Sequence, residues 1–189
     1  MKAVILNGAE PGDQIAGMLH GILVTELSAA GWEAVPFILS DMSIQPCMGC
    51  FKCWTRTPGM CVMDDPSREL ARAYMDSELA VLLTPVVFGG YGWHLKKALD
   101  RMICVVSPFF IQVEGETHHR TRYDRYPSLL GLGVMREADA DEANVFTTLV
   151  QRNALNLHAP AVAAGLVVPG QGKDAVTDNV RGLLSHLEA

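Results

Sequence analysis

Five alternations of a short apolar run with a helix-spaced segment, along 189 residues, predict a doubly wound α/β domain on a five-stranded parallel sheet. Three observations carry this. Most strand candidates are apolar on both faces, as strands covered by helices on both sides must be. Each is followed by apolar residues at three- and four-residue intervals, the period of a helix that buries one stripe. Right-handed crossovers between parallel strands then leave few topologies open.

Ala3 to Leu6, stopped by Asn7-Gly8, reads as a buried strand. Ile15, Leu19, Ile22, Leu23 and Leu27 keep a helical spacing up to Gly31, a C-terminal cap. Trp32 to Leu39 is the second strand, placed near a sheet edge by Pro36. Ser40 to Asp65 is a long connection rich in Pro, Gly, Cys and Met. Irregular segments of that length are uncommon and usually functional. A helix from Ser67 to Asp76 leads into Leu79 to Leu83, the clearest buried strand, which Thr84-Pro85 is expected to end. Leu95 to Met102 is helical, and residues 105–127 form a second long connection. Leu129 to Met135 is a glycine-spaced strand. Asp139 to Leu157 is a helix with Ala143, Phe146, Val150 and Leu157 on one face. Val162 to Val168 is the last strand, and Val176, Val180, Leu183, Leu184 and Leu187 mark the closing helix. No linker or repeat divides the chain, so residues 1–189 are expected to form one domain.

Composition narrows the function. The net charge of −6 argues against non-specific binding to nucleic acid or an anionic membrane. No run approaches the roughly 18 uninterrupted apolar residues that a membrane span needs. MKAVILNGAE turns polar too early for a signal peptide or anchor, so a cytoplasmic location is expected. Four of the five cysteines, Cys47, Cys50, Cys53 and Cys61, fall within one 15-residue stretch. Such a cluster points to metal or redox chemistry rather than to dispersed disulfides.

Ligands of an open parallel sheet bind beyond the carboxyl ends of its strands. Three segments there, and the 105–127 connection elsewhere, bear on function. In the cysteine loop, thiols at three-residue intervals wrap one face of a compact centre, and Cys61 closes it. Iron–sulfur clusters are held by such tight runs. Structural zinc, with its longer spacers, and a reduced structural patch are the alternatives. Gly49 and Gly59 let the backbone bend close, and Lys52 and Arg56 offset negative charge. The segment Thr84 to Trp93 combines three glycines with Phe88, Tyr91 and Trp93, a composition that suits a planar heteroaromatic ring or merely local packing. The first loop, Asn7 to Gln14, lies where backbone N–H groups at a helix start hold phosphate. Glu10 and Asp13 oppose that use, although both also suit the first turn of a helix. The 105–127 connection carries His118, His119, Arg120, Arg122 and Arg125 among Tyr123 and Tyr126. It reads as a surface flap or subunit contact ahead of a contact for an anionic dinucleotide, with its histidines solvated. Cys104 follows an apolar helical stretch and is expected in the core.

Taken together, these residues resemble the flavodoxin-like NADPH-dependent FMN reductase superfamily, and within it the iron–sulfur flavoproteins. The resemblance rests on Cys47-x2-Cys50-x2-Cys53-x7-Cys61 followed by Asp64-Asp65, and on Thr84-Pro-Val-Val-Phe-Gly-Gly-Tyr91 leading to Leu95-Lys96 and Asp100-Arg101. It implies a three-layer sheet of order 2-1-3-4-5, FMN over the strand ends and a [4Fe-4S] cluster on the four cysteines. By position, Gly8, Ala9, Glu10, Gly12, Asp13 and Gln14 would hold the FMN phosphate. Pro85, Val86, Val87, Phe88, Gly89 and Tyr91 would line the ring and ribityl chain, with Val134, Met135 and Arg136 through Glu137 on the other side. The resemblance also implies homodimers or homotetramers and an NAD(P)H or ferredoxin-type electron donor. One departure matters. The family's first loop usually runs Gly-Ser-Pro-Arg with further hydroxyls, whereas this chain has Gly8-Ala9-Glu10-Pro11 and then Gly12-Asp13-Gln14. Charge-assisted donors to phosphate are the strong ones, and carboxylates stand in their place.

The leading expectation is an electron-transferring iron–sulfur flavoprotein with no catalytic side chain, since the cofactors perform the chemistry. A cluster-free NAD(P)H-dependent FMN or quinone reductase is the first alternative. A flavodoxin-like binding or assembly subunit with a degenerate flavin site is the second.

Overall fold

A computed structural model describes residues 1–113 and 115–188. Residue 114 of the long connection and residue 189 lie outside the described residues.

In chain order the elements are β1 (Lys2–Asn7), α1 (Gln14–Ala29), β2 (Glu33–Ile38), α2 (Lys52–Thr55), α3 (Ser67–Met75), β3 (Leu79–Val87), β4 (Gly90–Tyr91), α4 (Trp93–Arg101), β5 (Phe110–Val113), β6 (Glu116–His119), β7 (Ser128–Val134), α5 (Ala140–Asn156), β8 (Val162–Val167) and α6 (Lys173–Glu188). The main sheet runs β2-β1-β3-β7-β8, all pairs parallel. This is the expected 2-1-3-4-5 order of a flavodoxin-like fold. Pro36 lies on edge strand β2, opposite Ile5, where its missing N–H costs no second ladder.

The pleat sends alternate residues to two cores. Ile5, Val81 and Leu132 face α1 and α6, whose Leu19, Leu23, Val180 and Leu184 close that side. Val4, Leu6, Leu82 and Leu129 face α3, α4 and α5, which contribute Leu70, Tyr74, Leu95, Phe146 and Val150. Burial on both faces explains the unbroken apolar runs. The glycine spacing of β7 also has a packing cause. A Cβ on Gly131 would stand 2.4 Å from Cγ2 of Val150, so α5 seats directly on the strand.

The structure departs from the expected boundaries in places. Thr84-Pro85 does not end the third strand. Both residues stay paired with Gly133 and Val134, and β3 runs on to Val87 before turning back into β4. Pairing to β1 stops at Leu83, so that flank of β3 is open where the proline sits. Helix α4 begins at Trp93, two residues before the apolar spacing starts. Short polar segments hid α2 inside the cysteine loop and the β5–β6 hairpin inside the long connection.

Candidate functional site

The site region is the carboxyl edge of the sheet, where the first loop, the cysteine loop, the β3–β4 hairpin and the turn after β7 emerge. The first loop satisfies most of its own donors. The Gly8 amide donates to the Leu83 carbonyl at 2.8 Å, and the Ala9 amide to Asn7 Oδ1 at 3.0 Å. Asp13 is the N-cap of α1, with Oδ1 accepting from the amides of Ile15 and Ala16 at 3.0 Å each. Those are the groups that an anion at a helix start would use. Gly8 is required by proximity, because a Cβ there would lie 2.7 Å from that of Leu95. Glu10 reaches across to α4: Trp93 Nε1 donates to its Oε1 at 2.9 Å, and His94 Nε2 lies 3.5 Å from its Oε2. Gly12 and Gln14 are exposed beside it.

The hairpin turns at Phe88 and Gly89, both with positive φ, 51° and 72°. A Cβ at Gly89 would come within 2.6 Å of the Val145 side chain, so the tip lies against the start of α5. Val87, Phe88 and Trp93 are 45%, 91% and 58% exposed, large apolar surfaces held out at the strand ends. Val86 and Tyr91 are not part of this rim. Val86 is buried, and Tyr91 packs edge-on to Phe146 at 5.9 Å while its hydroxyl accepts from Asn153 Nδ2 at 3.0 Å. Burial, partly offset by that hydrogen bond, pushes the Tyr91 phenol up to about 12. The Tyr91 ring, expected to offer a flat face to a planar ligand, instead packs in the core against Phe146, and Val86, expected to line the ring and ribityl chain, has its side chain buried. Past β7, Val134 and Met135 are likewise buried, so only backbone and the exposed Arg136 face the strand ends.

All four clustered cysteines line one cavity of about 220 Å³, together with Met63 and Arg101. Cys47 and Cys50 are exposed, Cys61 is half-buried and Cys53 is buried. Burial, with the neighbouring Cys61 adding to it, pushes the Cys53 thiol up. Among the described residues no three His, Cys, Asp or Glu side chains converge closely enough to hold a metal ion. The expected four-thiolate ligand set thus appears as the right donors around one cavity, without a gathered metal geometry. Cys104 is in the core, where burial pushes its thiol up to about 11.

A set of polar and charged residues anchors this loop. Arg101, with its side chain 1% exposed, donates to Asp65 Oδ2 at 3.1 Å, to Ser67 Oγ at 3.2 and 3.1 Å and to Met63 Sδ at 2.8 Å. Arg68 donates to the carbonyls of Cys61 and Val62 at 2.9 and 3.1 Å and to Asp64 at 2.8 Å. Trp54 Nε1 donates to the Ile103 carbonyl at 3.0 Å. The Asp64-Asp65 and Asp100-Arg101 pairs were visible as sequence features; their role as a latch needed the fold.

The long connection carries the β5–β6 hairpin, and its histidines are not solvated as expected. His118 is 4% exposed, 3.0 Å from Asn156 Oδ1 and 3.0 Å from Glu116 Oε2, and His119 Nδ1 lies 2.7 Å from the Ser107 carbonyl. Alternation along β6 does not predict this, because the partners come from α5 and from residue 107. Among the described residues no helix is long and apolar enough to cross a membrane.

The sheet order and the strand-end loops define a flavodoxin-like α/β protein. The chain belongs to the NADPH-dependent FMN reductase family, whose model matches residues 1–189. It is 30% identical over 103 residues to an iron-sulfur flavoprotein of Archaeoglobus fulgidus, covering 54% of this chain and 46% of the relative. An iron-sulfur flavoprotein of Methanocaldococcus jannaschii is 27% identical over 101 residues, 53% of this chain and 51% of that one. The chain thus spans about half the length of the curated relatives it matches. Among solved structures, an NAD(P)H:quinone oxidoreductase from Methanothermobacter marburgensis superposes with a TM-score of 0.73 at 15% identity, covering 100% of this chain and 96% of the other. An FMN-dependent NADH-azoreductase from Bacillus anthracis, in complex with FMN, also gives 0.73, at 11% identity over 100% and 99%. At these identities the likeness is one of fold. FMN is the cofactor that family membership brings, and the family's enzymes are flavin-dependent oxidoreductases.

Proposed function

We propose that this protein is an NAD(P)H-dependent flavin oxidoreductase that reduces a quinone-like acceptor or an electron-carrier partner. The observation that carries this reading is the set of large apolar side chains Val87, Phe88 and Trp93, exposed on the β3–β4 hairpin and the start of α4 at the carboxyl edge of the sheet. Apolar side chains exposed at the strand ends of an open parallel sheet support a binding site there. A bound flavin supplies hydride acceptance from a nicotinamide and electron delivery to an acceptor. The chain's part is to seat the ring against Val87, Phe88 and Trp93, to keep water from it, and to hold the hairpin by the Gly89–Val145 contact. The residues fit the ring portion of a flavin. They do not fit a phosphate in the first loop, where Asp13 already caps the helix and Glu10 adds a second carboxylate.

A second reading, that the protein also carries a [4Fe-4S] cluster, is favoured by the four thiols around one cavity. Cys47, Cys50, Cys53 and Cys61 would be its ligands, and it would supply one-electron transfer. Ligation requires thiolates, so the raised Cys53 thiol would release its proton on metal binding. A ferredoxin-type donor and a homodimer or homotetramer belong to the same reading. Anaerobically purified protein tests both. A flavin absorption band supports the oxidoreductase, and failure to take up any flavin overturns it. Iron and sulfide that fall sharply in Cys50→Ala support the cluster; iron content unchanged in that variant overturns the ligand assignment.

A further inference from the structure

We propose that this chain takes its flavin without the 5′-phosphate, binding riboflavin in preference to FMN; the inference rests on the flavin reading above and sharpens it. A flavodoxin-like first loop holds phosphate when its N–H groups are free to point inward and the helix start is uncapped. Here the helix start is capped by Asp13, and five of the loop amides are used internally. The amides of Gly8, Ala9 and Asp13 are taken by the Leu83 carbonyl, the Asn7 side chain and the Glu10 carbonyl, and Pro11 has no amide hydrogen. The amides of Ile15 and Ala16 are taken by the Asp13 carboxylate, which sits where the phosphate charge would.

The charges point the same way. Glu10 is held against α4 by Trp93 Nε1, which donates to its Oε1 at 2.9 Å. The opposing charge is Lys97, whose amine lies 4.5 Å from the centre of the Trp93 ring. His94 adds a buried imidazole, 6% exposed, with Nε2 at 3.5 Å from Glu10 and no hydrogen-bond partner for Nδ1. A flavin monophosphate carries about −1.5 to −2 charges at neutral pH and offers almost only acceptors. The terminal hydroxyl of riboflavin is neutral and both donates and accepts. Carboxylates at the ribityl end accept from that hydroxyl, whereas they repel the phosphate. The ring-binding rim is unaffected, because Val87, Phe88 and Trp93 interact with the isoalloxazine common to both molecules.

The experiment is a fluorescence titration of flavin-free protein with riboflavin and with FMN, at low and at moderate ionic strength. Two carboxylates facing a phosphate disfavour it by roughly tenfold or more at low salt, so riboflavin is expected to bind at least about that much tighter. Added salt narrows the gap by screening. Glu10→Gln combined with Asp13→Asn also narrows it, since asparagine caps a helix about as well as aspartate and only the charge is lost. FMN binding as tightly as riboflavin, or a riboflavin preference unmoved by the double substitution, overturns the inference and leaves the flavin reading standing. Uptake of neither molecule overturns both.

Discussion

Arg101 is where the fold holds the cysteine loop in place, and Arg101→Met tests that. The guanidinium is 1% exposed and its ion-pair partner Asp65 is 10% exposed, so neither charge is relieved by water. Methionine replaces most of the apolar stem but removes the contacts to Asp65, Ser67 and Met63. Breaking a buried pair by deleting one partner costs about 3–5 kcal/mol, because the other charge stays buried and uncompensated. Asp65 keeps three hydrogen bonds, from the Ser67 amide at 3.0 Å, the Ser67 hydroxyl at 2.5 Å and the Gln45 amide at 3.2 Å. That retained solvation places the loss at the lower end, about 3 kcal/mol. For a chain of this length such a loss lowers Tm by roughly 6–12 °C. Reversible urea unfolding measures it directly. Asp65→Asn, and the double substitution Arg101→Met with Asp65→Asn, complete a cycle in which the pair term is expected at about 1–3 kcal/mol. Hydrogen exchange should rise first in residues 61–67, which the latch holds. A loss under about 1 kcal/mol, the size of an exposed ion pair, would refute the claim that this pair is buried and structural.

Two further outcomes follow from the same packing. Burial works to raise the Asp65 pKa, but hydrogen bonds from Ser67 and Gln45 and the charge of Arg101 outweigh it and hold the group below the ordinary carboxylate value. The resulting stabilisation is full above the unfolded value of about 3.9 and is lost as pH falls through the lower folded value. Urea midpoints taken down an acid series should show that decline, and Arg101→Met should begin it at higher pH; identical acid profiles would count against the assignment. Gly89→Ala places a Cβ within 2.6 Å of Val145 at a backbone φ of 72°, and should cost about 2–4 kcal/mol. Adding Val145→Ala removes the Cγ1 contact but keeps the Cβ one, so it should recover only part of the loss, whereas Val145→Gly should remove the clash at that residue, both read from the same unfolding curves.

How legible the site was varied with the kind of signal. Asp13 could be read from sequence as either an obstacle to phosphate or a residue suited to the helix start, and its two amide contacts show the second role, as the N-cap of α1. The four cysteines were legible because they are close in sequence, and the fold does bring them to one cavity. Tyr91 and Val86 were misplaced. An aromatic in a glycine-rich loop gives no sign of which way it faces, and here Phe146 and Asn153, some sixty residues later, turn Tyr91 inward. His118 was misread for the same reason, since Asn156 meets it from α5. The continuation of β3 through Thr84 and Pro85 depended on β7 running on beside it, and past Pro85 on β4 folding back against it.

What the sequence determined by itself was the architecture: strands buried on both faces, helices with one apolar stripe, and a cysteine-rich loop after the second strand. These are local patterns with a fixed period, and right-handed crossovers leave few parallel-sheet topologies that satisfy them. Only the tertiary structure decided which loop donors remain free and which are used internally. It set Glu10 against Trp93, locked Asp65 to Arg101, and turned Tyr91 and His118 inward. Those outcomes depend on contacts between residues far apart in the chain, where the desolvation of a charge or the fit of a ring outweighs local preference.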